Sequence, residues 1–211
     1  MRTDQLIAEL AASQRPTGNA QGRIATALAA GWLVSIAGLF LFLGPPLQEM
    51  RHTGIASFAV KLGYTVAFAI LSVMAAIAAG RPGRKLARPA ALIVVPVIML
   101  SFVALLELGS ADPAARREML FGTAYLDCVK SVVLASLPVF VVLVWAYRPL
   151  APIRPPAAGF LIGLSAGAAG AVAFALYCHE PSAAFLITAY TPAMLIPALL
   201  GAAAGRPLFK W

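Results

Sequence analysis

Apolar residues in this chain come in six nearly uncharged runs of about twenty, the length at which a helix rising about 1.5 Å per residue crosses a hydrocarbon core of roughly 30 Å. A soluble domain is excluded by the balance of residues, since 61% are hydrophobic and 11% charged. A surface facing water needs far more charge than that. The expected fold class is therefore all-α, a polytopic membrane protein with six transmembrane helices near 25–44, 58–79, 90–108, 128–147, 157–178 and 184–205. Residues 1–22 form a polar tail and linker, and residues 23–211 the transmembrane domain. The tail exceeds a signal-peptide n-region and no clear small-residue cleavage site follows the first run, so that run is expected to remain as a membrane helix. Pro96, Pro138, Pro192 and Pro197 fall inside spans, where they are expected to kink helices whose freed carbonyls find partners on neighbouring helices.

The net charge of +8 is carried by short connections and reads as a topology signal, not as a nucleic-acid surface. With the N-terminus in the cytoplasm, Arg2, Arg15, Arg23, Arg81, Arg84, Lys85, Arg88, Arg148, Arg154, Arg206 and Lys210 all lie inside. Arg51, Lys61, Arg116, Arg117 and Lys130 are left outside. Both termini are then cytoplasmic. The acidic residues lean the other way, with only Asp4 and Glu9 inside. In the fifth span Gly159, Gly163, Gly167, Ala171 and Ala175 recur every four residues, a ridge that lets another helix approach closely. Gly201 and Gly205 repeat the spacing in the last span. Packing within the bundle is the plainer use of such a ridge, and a dimerisation face the alternative.

No Asp, Glu, Lys, Arg or His falls near the middle of a predicted span; Lys61, Glu107 and Lys130 lie close enough to an end to snorkel. Ion-coupled transport usually needs buried ionisable groups, so this weighs against a pump or secondary transporter. No phosphate-binding loop, HExxH helix, GxSxG elbow or paired carboxylates are visible, and no enzyme activity is expected.

Two places carry potential chemistry. In the tail, Thr3 or Asp4 can cap a short helix with Leu6, Ile7, Leu10 and Ala11 on one face. So short a helix is marginal in water and needs something apolar to lie against: the bilayer, the protein's own loops, or a partner's groove. The second place is the cysteine pair. Cys128 opens the fourth span and Cys178 closes the fifth, and the two antiparallel rises match within roughly 3 Å, so both thiols belong at the outer face. There they can approach each other or share a ligand after modest loop movement. Cys178 is followed by His179 and Glu180, and two thiolates with an imidazole and a carboxylate suit a soft metal ion such as zinc or cadmium. Exposed thiols also meet oxidants. Against these stands the plain reading of two small residues at helix ends.

These features together resemble the NrsF-type membrane anti-sigma factors, which hold extracytoplasmic-function sigma factors inactive. The likeness runs over essentially the whole chain: Thr3-Asp4-Gln5-Leu6-Ile7-Ala8-Glu9-Leu10-Ala11, the Arg81-Pro82-Gly83 turn, Cys128, Ser136-Leu137-Pro138, Arg148-Pro149-Leu150-Ala151-Pro152 and Tyr177-Cys178-His179-Glu180-Pro181-Ser182. It departs from the family pattern at His179, which follows the cysteine where the family places a histidine before it. The resemblance implies a protein of the bacterial inner membrane whose N-terminal segment, through Asp4, Leu6, Ile7 and Leu10, contacts an extracytoplasmic-function sigma factor. It further implies that Cys128 and Cys178 respond to metal or oxidant stress. No cofactor is expected beyond a soft metal ion held transiently at the cysteines. The competing readings are a small-solute permease or exporter using the kinked helices as its pathway, and a passive scaffold in a membrane complex.

Overall fold

The computed structural model describes residue 5 and residues 20–45, 54–80, 87–150, 152 and 154–209. The tail residues Asp4, Leu6, Ile7 and Leu10 and the Arg81-Pro82-Gly83 turn lie outside the described residues.

The described residues are helical without strands. In chain order they form α1 (Ala20–Leu43), α2 (Ile55–Ala79), α3 (Ala87–Leu92), α4 (Val94–Ser110), α5 (Pro113–Phe121) and α6 (Tyr125–Tyr147). A 3-10 turn (Arg148–Leu150), α7 (Pro155–Ala175), α8 (Ala183–Phe185), a π-helical turn (Leu186–Tyr190) and α9 (Thr191–Leu208) complete the fold. Among the described residues six helical stretches are long and apolar enough to cross a membrane, with α3–α4, α5–α6 and α8–α9 each contributing one.

The fifth span, α7, is the centre of the bundle. It is buried along nearly its whole length, and α9, α2 and α6 pack around it. Its small residues explain the position, because a methyl at Gly159 or Gly163 would overlap the backbone carbonyls of Gly201 or Pro197 on α9. Gly201 and Gly205 leave the matching gaps, so the two helices touch backbone to backbone, as small-residue interfaces in lipid do. Gly170, off the four-residue ridge, makes an equally tight approach to α6: a Cβ there would lie 2.7 Å from the Ser136 nitrogen and 2.8 Å from the Val132 oxygen. Leu33, Phe42, Ile98, Met99, Phe102, Leu134 and Trp145 are exposed and form part of the apolar surface that a membrane protein turns to lipid.

Gly163→Ala should therefore destabilise the protein in detergent by about 1–3 kcal/mol, the usual cost of forcing an extra methyl into a packed interface. Gly38→Ala, where nothing lies within 4 Å of the added methyl, should be neutral or slightly stabilising through its gain in helix propensity. Thermal unfolding of the two variants side by side checks this; equal stability would mean that α7 and α9 are not held at this distance.

Several expectations need correction. The third span is broken at Ile93. Pro96 falls in the first turn of α4 and Pro192 in the first turn of α9. Neither is a free helix start, since both spans continue through these positions and the Thr191 N–H bonds back to the Leu186 carbonyl. The break at Ile93 and the π-helical turn Leu186–Tyr190 stand just ahead of the two prolines, where a missing N–H interrupts the ladder. Pro138 and Pro197 do lie inside helices. Beside Pro138, Ser35 on α1 donates to the Ala135 carbonyl at 2.6 Å, one residue past the Leu134 carbonyl that the missing proline N–H leaves without its helical partner. The connection between the third and fourth spans holds a helix of its own, α5, started by Pro113 and stopped by Gly122 at φ 54°. The fifth helix ends at Ala175, so Cys178 lies in the following turn and not on the helix.

A thiol pair pinned by three polar contacts

Cys128 sits in the first turn of α6, its N–H bonded to the Ala124 carbonyl at 2.9 Å. Cys178 lies just past α7, where its N–H and that of Tyr177 both turn back to the Phe174 carbonyl, at 3.2 and 2.9 Å. α6 and α7 run antiparallel through the central contact, so the start of one meets the end of the other. The two Sγ atoms are 3.9 Å apart, both thiols are free, and both are buried at 6% and 5% exposure. The pair is thus already in van der Waals contact without the loop movement expected from helix spacing, and it is buried where exposed thiols are expected from the sequence.

The turn carrying Cys178 is held from three sides. From α2, the Lys61 ammonium donates to the Cys178 carbonyl at 2.6 Å. From the turn between α5 and α6, the Thr123 N–H donates to Glu180 Oε1 at 3.1 Å. Gly122 is needed there twice over, for its positive φ and because a Cβ would meet the Glu180 carboxylate at 2.5 Å. From α4, Glu107 Oε2 accepts from the Ala183 N–H at 2.8 Å and from the Ser182 hydroxyl at 3.2 Å. A carboxylate at this N-terminus is favoured by the helix dipole and satisfies a donor that has no partner within the helix. The π-helical turn beyond is braced by Tyr125, whose hydroxyl donates to the Thr188 carbonyl at 2.8 Å. Thr188 in turn donates to the Leu120 carbonyl.

The electrostatics distinguish Cys178. Its thiol is drawn below the usual thiol range, first by the hydrogen bond with Cys128 and then, against the opposing effect of burial, by the nearby Lys61 ammonium. The wholly buried Tyr190 hydroxyl also faces this sulfur, without a hydrogen bond of normal length.

Of the residues singled out for a metal site, Cys128 and Cys178 come together. Glu180 is committed to Thr123, and His179 is exposed. Among the described residues no three His, Cys, Asp or Glu side chains gather into a group that could hold a metal ion. Lys130 and Asp127, which flank Cys128 in sequence, form an exposed pair 3.6 Å apart, worth little energetically.

Lys61 was placed among the residues able to snorkel, and this is overturned: it is 1% exposed, with its ammonium inside the bundle. The signal was present in α2, where Lys61, Thr65, Phe68 and Ser72 fall on one helical face and all are buried. A polar stripe on a membrane helix faces protein, and its lysine faces protein with it.

The chain was compared with known proteins. The model of a protein family described as negative regulator of sigma F matches residues 10–211. The probable anti-sigma-F factor NrsF of Azospira oryzae is 34% identical over 215 residues, and the anti-sigma-F factor NrsF of Caulobacter vibrioides 35% identical over 218. Both alignments cover 100% of each chain. No solved structure matches.

Proposed function

Because the chain belongs to the family of negative regulators of sigma F, we propose that it is a membrane-bound anti-sigma factor of the bacterial inner membrane, in which a thiol pair governs release of the sigma factor. The N-terminal segment, through Asp4, Leu6, Ile7 and Leu10, holds an extracytoplasmic-function sigma factor at the cytoplasmic face. Oxidant or a soft metal ion reacting at Cys128 and Cys178, on the outer side, weakens that grip. Its role is regulatory and not catalytic.

One observation carries the sensing half of this reading: the two thiols sit on different elements, in contact at 3.9 Å, at the end of the bundle away from the Arg23–Trp145 contact. A bond or a shared ion between them changes how α6 meets the turn after α7. Release by tenfold needs only about 1.4 kcal/mol of coupling between the two faces.

The test is co-purification of the sigma factor with the full-length protein from detergent extract, with and without hydroperoxide or cadmium. Retention at rest and loss after treatment are expected; retention under both conditions would remove the pair from the mechanism. Sidedness is tested separately. Reporters fused after Arg88, Arg154 and Trp211 should report cytoplasm, and those within 110–126 periplasm. A cytoplasmic signal from 110–126 would sink the orientation.

A second reading is a permease, and the buried Lys61 is the observation that favours it, since intramembrane charges mark transport pathways. Yet that ammonium is bonded to a backbone carbonyl. Three clefts among the described residues, one of them lined by Phe68, Val97, Leu164 and Leu195, are apolar, and Lys61 lines none of the three. Saturable solute uptake in proteoliposomes would restore the permease.

A further inference from the structure

Lys61 is the one charged side chain that the described residues bury almost completely, at 1% exposure. An ammonium inside a membrane bundle is costly and is retained where it has both a partner and a task. Its partner is the Cys178 carbonyl, 2.6 Å away, on the turn that carries one of the two thiols. α2 has a second polar tie at this level, the hydrogen bond of 2.8 Å between the Tyr64 and Thr191 hydroxyls. Beyond its far end at Gly80, α2 runs directly into the basic connection from Arg81 to Arg88.

We propose that Lys61 is a coupling residue, the link by which a change in the Cys128–Cys178 pair becomes a displacement of α2 and so reaches the Arg81–Arg88 connection. The proposal rests on the reading of the thiol pair as the sensor and supplies what that reading lacks, a route out of the site.

The chemical step is oxidation by a hydroperoxide. One thiol sulfur attacks the peroxide, the O–O bond breaks, an alcohol leaves, and a sulfenic acid remains. The second sulfur then displaces the hydroxyl as water and the S–S bond forms. Two thiols and one hydroperoxide thus become one disulfide, one alcohol and one water; the sulfurs together lose two electrons and the peroxide gains them. The Sγ atoms, 3.9 Å apart at rest, must close to about 2.05 Å, which draws the Cys178 turn toward α6. Lys61 cannot let that turn go without leaving a buried charge with an unmade bond, so α2 is pulled with it.

The experiment uses the full-length chain with its co-expressed sigma factor, in detergent, with cumene hydroperoxide as oxidant. Disulfide formation is read by mass spectrometry and sigma retention by pull-down. In Lys61→Met the disulfide should form more slowly, because the ammonium that draws the Cys178 thiol down is gone, but should reach completion under excess hydroperoxide. Resting retention should persist, while release from the fully oxidised protein falls about tenfold. Lys61→Arg, which keeps a cationic donor, should restore release. Normal release from a fully oxidised Lys61→Met protein overturns the proposal, and so does failure of that variant to form the disulfide even under excess hydroperoxide, which would make Lys61 a requirement of the thiol chemistry and not the link between it and α2. Hydrogen exchange on the unaltered protein needs no substitution: oxidation should change protection in α2 from Lys61 toward Gly80, and unchanged α2 in a fully oxidised sample overturns the proposal. If α2 responds and the sigma factor stays bound, the coupling stands and the sensor reading fails.

Discussion

Leu6→Asp combined with Leu10→Asp should leave the protein in the membrane at its usual level and free its sigma factor at rest. The sequence spacing puts the two leucines on one face of the proposed docking helix, which would be too short to be stable alone and would form against whatever it docks on. A carboxylate on that face must be desolvated in an apolar groove with no partner for its charge. Loss of one central apolar anchor costs an interface about 2 kcal/mol, so the pair should weaken binding by about 4 kcal/mol, close to a thousandfold. The spans begin beyond Ala20 and owe nothing to these residues, so insertion should be unaffected. A sigma-dependent reporter should be fully on without inducer, and pull-downs should recover no sigma factor. Continued repression by the double variant would move the docking site off the tail, most directly to the basic connection from Arg81 to Arg88.

The division between what was legible in the residues and what was not follows from which forces act locally. The bilayer sets the length of each span, so six runs of apolar residues were enough to find six helices. Antiparallel succession then put Cys128 and Cys178 at one end without any knowledge of side chains. The ridge at Gly159, Gly163 and Gly167 marked α7 as a helix that others approach closely, but spacing could not choose the partner. That choice depends on Gly201 and Gly205 presenting gaps at the same heights. Three further features went unread although each has a local signal: the break at Ile93 lies just before Pro96, the helix Pro113–Phe121 runs from a proline to Gly122, and the π-helical turn, which Tyr125 also braces, lies just before Pro192.

Lys61 shows the same limit most sharply. Counting residues from the start of its span allowed it to reach water, whereas the turn after α7 offered its ammonium a carbonyl at closer range. Glu107 was likewise legible only as an outer-side acid near a span end, and Glu180 as an outer-side acid and candidate metal ligand. Their work, holding the N-terminus at Ala183 and the turn at Thr123, joins residues far apart in sequence that only the packed bundle brings together.

Cys128→Ser or Cys178→Ser should keep repression and abolish induction by thiol-reactive stress, and the double variant should be no worse than either single. A bond or a bridging ion needs both sulfurs, so the loss of one already removes the whole response and the second loss adds little. Burial of both thiols qualifies the choice of replacement. A serine hydroxyl in so dry a site can be left without a hydrogen-bond partner, at about 1–3 kcal/mol. Cys128→Ala and Cys178→Ala, which introduce no polar atom, therefore belong beside the serine variants. The assay is a sigma-dependent reporter titrated with cadmium, chromate and peroxide in each background. Full induction in the doubly substituted strains would return the cysteines to a packing role. Constitutive activity shared by serine and alanine variants would mean instead that the resting contact between the sulfurs helps to hold the sigma-binding state. Constitutive activity with serine alone would report only the cost of the buried hydroxyl.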